Sequence, residues 1–240
     1  MKKFLLTGLL VVGGLLITWN LLTTDSEDVT ADQDEEVGLE DSDTDSDSEE
    51  EEKESIEVEE LVKQAKNEYN RLLKQNNTLT VNNQEIELSN DDVRRWIIKT
   101  YIQTRMSAQE DLEGTNLVDV SMEYRQRAQL MKDWAQEEYQ VTITDNEVEN
   151  FIDEQISYIN DSSESNPFFI KMSNALDISK EEYFYEWEYD SFAQQLLEDR
   201  VLKIMAERHP KEEDESPEAH QERIIQKMEE ELNEYIDEHL

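Results

Sequence analysis

From Ile56 onward, apolar residues recur at the three- and four-residue spacing of a helical face. Val58, Leu61, Val62, Ala65, Tyr69, Leu72 and Leu73 predict a helix that ends near Gln75-Asn76-Asn77. Thr78–Val81 and Gln84–Leu88 then alternate about Asn82-Asn83, the pattern of a small hairpin. Ser89, with Asp91 and Asp92 in the first turn, predicts a capped helix reaching about Met106, with Val93, Trp96, Ile97, Thr100 and Tyr101 inward. Glu113-Gly114-Thr115-Asn116 breaks the chain. A helix over about Ser121 to Tyr139 follows, with Tyr124, Ala128, Met131, Trp134 and Ala135 at core spacing.

Two further helix starts carry the same signature. In Ile143-Thr144-x-x-Glu147-Val148 and in Ile178-Ser179-x-x-Glu182-Tyr183, the hydroxyl can accept from the amide three residues on. The glutamate can reach back to the cap amide, and the flanking apolar pair staples the entry. The first box opens a helix burying Val148, Phe151, Ile152, Ile156 and Ile159. Asn166-Pro167 opens a short one holding Phe168, Phe169, Ile170 and Met172. The second box opens the longest, about Lys180 to Glu207, and His209-Pro210 ends it. Ser216-Pro217-Glu218 starts a final helix with Ile224, Ile225, Met228, Leu232, Tyr235 and Ile236 on its buried face. The pattern predicts a mainly α, multi-helix domain over residues 55–240, with a helix at 216–239 packing back on it.

The chain before residue 55 follows other rules. Met1-Lys2-Lys3 precedes an almost wholly apolar run from Phe4 to Leu22. The length approaches a bilayer span, and the lysines favour a cytoplasmic N-terminus. We read residues 1–23 as a signal anchor, single-pass, with the body outside the cytoplasm; a cleaved signal and a secreted body is the alternative. Residues 24–54 are Asp, Glu, Ser and Thr with almost nothing to bury, and read as a disordered acidic linker. Asp41, Asp43, Asp45, Asp47, Glu49 and Glu52 fall at the acidic positions of a calcium loop. Ser46 stands where its glycine belongs and Ser48 where its apolar residue belongs, so a solvated linker fits better.

Charge narrows the function. The formal net charge is −39, and residues 25–60 alone hold 20 acids and one lysine. Such a surface repels nucleic acid, so no nucleic-acid partner is expected. The absence of cysteine excludes disulfides, thiol catalysis and lipid attachment through an N-terminal cysteine. Five glycines leave no glycine-rich phosphate loop. The three histidines, His209, His220 and His239, are scattered along the tail, and no nucleophile motif is present. The sequence reads as a non-enzyme with no metal site and no cofactor.

Several stretches resemble the N-terminal chaperone domain of the SurA and PrsA kind. Thr80-Val81-Asn82-Asn83-Gln84-Glu85-Ile86 resembles that family's "VNG-x-x-I" turn, with Asn83 in place of glycine. The run from Ala135 to Val148 resembles "A-x-x-x-G-I-x-V-T-D-x-E-V", and Leu176 to Tyr183 resembles "L-G-L-S-x-E-E-Y". Together they cover roughly Leu79 to Met205. The resemblance implies a SurA-N-like lobe that holds unfolded or exported polypeptides. In relatives a parvulin prolyl-isomerase domain is inserted after the long helix. Here the equivalent place, Arg208–Pro217, is too short for one, so prolyl-isomerase activity is not expected. A lobe of this type would bind clients through apolar and aromatic surface. The candidates are Trp96, Tyr101, Trp134, Phe168, Phe169, Tyr183, Phe184 and Trp187, with the consecutive pairs Phe168-Phe169 and Tyr183-Phe184 favoured for exposure. The alternative is a non-catalytic helical docking or regulatory membrane protein with one dedicated partner.

Overall fold

A computed structural model describes residues 47–107, 112–161 and 167–240. The expected anchor, residues 1–23, and most of the linker lie outside them. No helix of the described residues is long and apolar enough to cross a membrane. The described chain is mainly helical. Its elements are α1 (Asp47–Gln75), β1 (Thr78–Val81), β2 (Gln84–Glu87), α2 (Asp91–Met106), α3 (Gly114–Tyr139), α4 (Asp145–Asp161) and α5 (Pro167–Leu176). A single turn α6 (Lys180–Glu182), a π turn (Tyr183–Trp187), α7 (Tyr189–Arg208) and α8 (Pro217–His239) complete it. Helix α1 begins inside the stretch 24–54 that composition assigns to the linker.

The local signals explain most of these elements. Asn82 and Asn83 have φ of 48° and 63°, as a two-residue hairpin turn with the right twist requires, and Val81 pairs with Gln84. Both capping boxes form. Glu147 Oε2 accepts from the Thr144 amide at 2.8 Å, and Glu182 Oε2 from the Ser179 amide at 2.7 Å. The returning bonds to Thr144 Oγ1 and Ser179 Oγ measure 3.4 and 3.1 Å. Ser216 caps α8 through the Ala219 amide, with Pro217 in the first turn.

Three boundaries differ from the periodicity. The cap of α2 is Asn90, whose Oδ1 accepts from Asp92 and Val93, while Ser89 bonds Glu87 instead. Helix α3 starts at Gly114 rather than near Ser121. Leu117 and Val118 are fully buried there, and the Gly114 amide donates to Glu68 of α1 at 2.8 Å. A carboxylate from another helix thus meets the positive end of α3. The expected single helix over Lys180–Glu207 is broken by the π turn.

Two apolar clusters hold the molecule together. The larger joins α1, the hairpin, α2, the first half of α3, α4, α5, the π turn and the start of α7. The smaller joins the second half of α3 to α7 and α8, through Met131, Trp134, Leu197, Val201, Met205, Met228 and Leu232. Helix α3 runs through both and aligns them. Residues 209–216 connect α7 to α8. Glu215 and Arg223 form a two-bond ion pair at 2.8 and 2.9 Å across this connection, which holds the Glu215 carboxyl down to about 2.

Candidate functional site

The corner between α5 and α6 makes one wall of an open cleft. Helix α5 ends with Asp177 at φ 61°, and the Ile178 amide reaches back to Ser173 O at 3.1 Å. This left-handed closure satisfies the last carbonyls of α5 and turns the chain sharply. Ser179 at once caps α6. On α1, Lys66 Nζ bonds Ala175 O at 2.8 Å and Asp177 Oδ2 at 3.0 Å, fixing the corner to that helix.

The cleft between this corner, α1 and α2 has a volume of about 430 Å³. Tyr69, Ile98 and Leu176, all buried in the core, and half-buried Ile178 give it apolar walls. The Tyr69 hydroxyl donates to Leu88 O at 2.7 Å, so the ring is held in place. Lys66, Asn70, Arg94 and Asp177 provide the polar groups. The Arg94 guanidinium lies 5.7 Å from the centre of the Tyr69 ring and makes no ion pair with any described residue. Burial pushes the Tyr69 phenol up, while Arg94 pulls it down and Asp91 adds a smaller upward push. A second hollow of about 340 Å³ shares Lys66, Arg94, Ile98, Leu176 and Ile178 and continues past Arg95 to Glu186 and Trp187.

The far wall is the π turn, which α2 holds by charge. The Glu188 amide reaches back five residues to Tyr183 O at 2.9 Å. Widening the turn disturbs the ordinary helical ladder and leaves carbonyls needing other donors. Arg95 donates to Glu186 O, and Lys99 Nζ to Trp187 O at 2.8 Å. The same two cations pair with Asp190 at 2.7 Å and Glu188 at 3.1 Å. Arg95 also pairs with Asp92, which Arg125 of α3 holds at 2.7 Å. Residues 95 and 99 are one helical turn apart, so they present one face to the π turn.

The eight aromatic candidates divide. Tyr101, Trp134, Phe169, Tyr183 and Phe184 are buried, with Phe184 at 0% exposure. Phe184 packs between Phe169 (5.4 Å) and Phe192 (6.1 Å), and Tyr183 lies 5.8 Å from Phe169. The pair Tyr183-Phe184, expected to offer an exposed ring, is therefore core on both sides. Of the pair Phe168-Phe169, only Phe168 is half-buried. The reason is the packing of α5 and α7 on two sides of the π turn, which helical spacing alone does not reveal. Trp96 and Trp187 are also half-buried, and Trp187 lines the cleft's extension. Among the described residues, the large exposed apolar residues Met106, Tyr158, Ile170 and Leu240 line neither hollow.

The residues that sequence reading missed are Lys66, Tyr69, Arg94, Ile98 and Ile178. A signal existed for one of them: Arg94 and Arg95 are adjacent cations at the start of a helix, where the dipole disfavours them, in a strongly acidic chain. Among the described residues, no group of His, Cys, Asp and Glu could hold a metal ion. No family model, no curated protein and no solved structure matches the chain.

Proposed function

We propose that this chain is a non-catalytic, chaperone-like module that binds unfolded or exported polypeptides, anchored in the membrane with its body outside the cytoplasm. The observation that carries the reading is the cleft. It offers preformed apolar walls, with a guanidinium beside them that makes no ion pair with a described residue, on a protein with a net charge of −39. Such a site suits a short polypeptide segment, since side chains enter the apolar hollow and the backbone meets polar groups.

The backbone supports the resemblance on which the chaperone part rests. The resembled patterns have glycine at the positions of Asn83 and Asp177 and, counted back from Thr144-Asp145-Asn146-Glu147-Val148, of Gln140. All three residues have left-handed backbone, with φ of 63°, 57° and 61°. Non-glycine residues adopt such φ uncommonly, so a shared backbone demand at all three is informative.

A second reading is favoured by the burial of five aromatic candidates. A lobe with a narrow cleft rather than a broad apolar cradle suits one dedicated partner. The test is suppression of aggregation by the full chain in detergent micelles, using two unrelated unfolded exported proteins. We expect suppression of both near one-to-one stoichiometry, and Ile178→Asp to require about tenfold more protein. Suppression of neither protein contradicts the chaperone reading. Equal action of wild type and Ile178→Asp contradicts the role of the cleft.

A further inference from the structure

We infer that the cleft captures the C-terminal end of a polypeptide, with the last side chain packed against half-buried Ile178, over the buried Ile98 and Leu176, and the terminal carboxylate on Arg94. This deepens the binding reading above and rests on it.

The argument starts from charge. Lys66 is paired with Asp177 and bonded to Ala175 O, so its charge is committed to the fold. Arg95 is committed likewise to Asp92, Asp190 and Glu186 O. Arg94 makes no ion pair with a described residue. Its guanidinium lies beside the Tyr69 ring, at the edge of the apolar walls. A planar guanidinium in that position matches a carboxylate with two parallel hydrogen bonds.

The spacing then selects the source of the carboxylate. A terminal residue carries its charge and its apolar side chain on the same Cα. Of the two cations lining the cleft, Lys66 is held by Asp177, and Arg94 beside the apolar walls fits that arrangement. An internal aspartate or glutamate fits less well, because the apolar group must come from a neighbouring residue and the chain must leave the cleft at both ends. The cleft's volume of about 430 Å³ suits the end of a chain. Acid-rich segments are further disfavoured by the protein's own net charge of −39.

The test uses the full chain in detergent micelles and fluorescence anisotropy with three labelled eight-residue peptides. The first ends in Leu-Phe with a free carboxylate. The second is the same peptide amidated. The third is amidated with an internal aspartate. We expect the first to bind about tenfold more tightly than the second and third, with the difference lost in Arg94→Gln. Equal binding of the acid and the amide overturns this inference and leaves the binding reading standing. Equal binding of the first and third overturns the choice of a chain end. Persistence of the tenfold difference in Arg94→Gln overturns the role of Arg94. Binding of none of the three, with aggregation suppression intact, overturns the inference alone. If suppression is absent as well, both fail.

Discussion

Replacing Lys99 by methionine destabilises the domain by about 3 kcal/mol in denaturant unfolding. Lys99 is only 7% exposed, and its ammonium donates to Trp187 O, Glu188 and Ser191 at 2.8, 3.1 and 3.2 Å. Methionine fills similar space but cannot donate. It leaves the Glu188 carboxylate, only 15% exposed, without its cation and the Trp187 carbonyl without its donor. Breaking one side of a buried pair costs more than removing both, because the remaining charge is left desolvated. The double variant Lys99→Met, Glu188→Gln should therefore recover a substantial part of the loss. A loss below about 1 kcal/mol for the single variant would show that the π turn does not depend on this contact.

Glu198→Gln should raise stability above neutral pH by about 2–3 kcal/mol, and by nearly nothing below pH 4.5. Glu198 lies on α7, partly buried, and its carboxyl is pushed up to about 7. Burial is the main cause, with Asp199 on the same helix and Glu229 on α8 adding negative charge. The folded pKa exceeds the unfolded one, so the folded state binds the proton more tightly. Stability is full below the unfolded pKa of about 4.5 and falls as pH rises through about 7. Glutamine removes this dependence without removing the side chain's volume. Glu147 and Glu215 act in a different window. Their carboxyls are held down to about 2, chiefly by hydrogen bonds from Arg200 and Arg223 respectively. Their contribution is present above about 4.5 and is lost as pH falls towards 2. The difference between wild-type and Glu198→Gln stability curves isolates the one group. A constant difference from pH 4 to 9 would contradict the assignment.

Much of the architecture is written locally. The hairpin follows from two adjacent asparagines, and the two capping boxes and the Ser216-Pro217 start act within four residues of chain. Such features are legible because cause and effect are neighbours in sequence. The π turn is not. Its carbonyls find donors in Arg95 and Lys99, and residues 95 and 187 are far apart in sequence, so a continuous helix was the natural expectation over Lys180–Glu207. The start of α3 was hidden for the same reason, since Glu68 supplies its N-terminal partner from another helix. The cleft was illegible because its walls come from α1, α2 and the α5–α6 corner, and because Tyr69 and Ile98 also serve as core. The expected exposure of the pair Tyr183-Phe184 fails by a related effect. An aromatic at helical spacing faces a neighbour, but which sides of that helix are covered depends on elements elsewhere in the chain.

Site-specific photocrosslinking tests the central claim that polypeptides bind in the cleft. A photoreactive residue replaces Asn70, which is exposed at the cleft, or Gln221, which is exposed on α8. The full chain is held in a lipid bilayer and offered a labelled, unfolded exported protein. Strong crosslinking from position 70, little from position 221, and loss of the position-70 product in Ile178→Asp is the result the account predicts. Equal yields from both positions, or none from position 70, would contradict it.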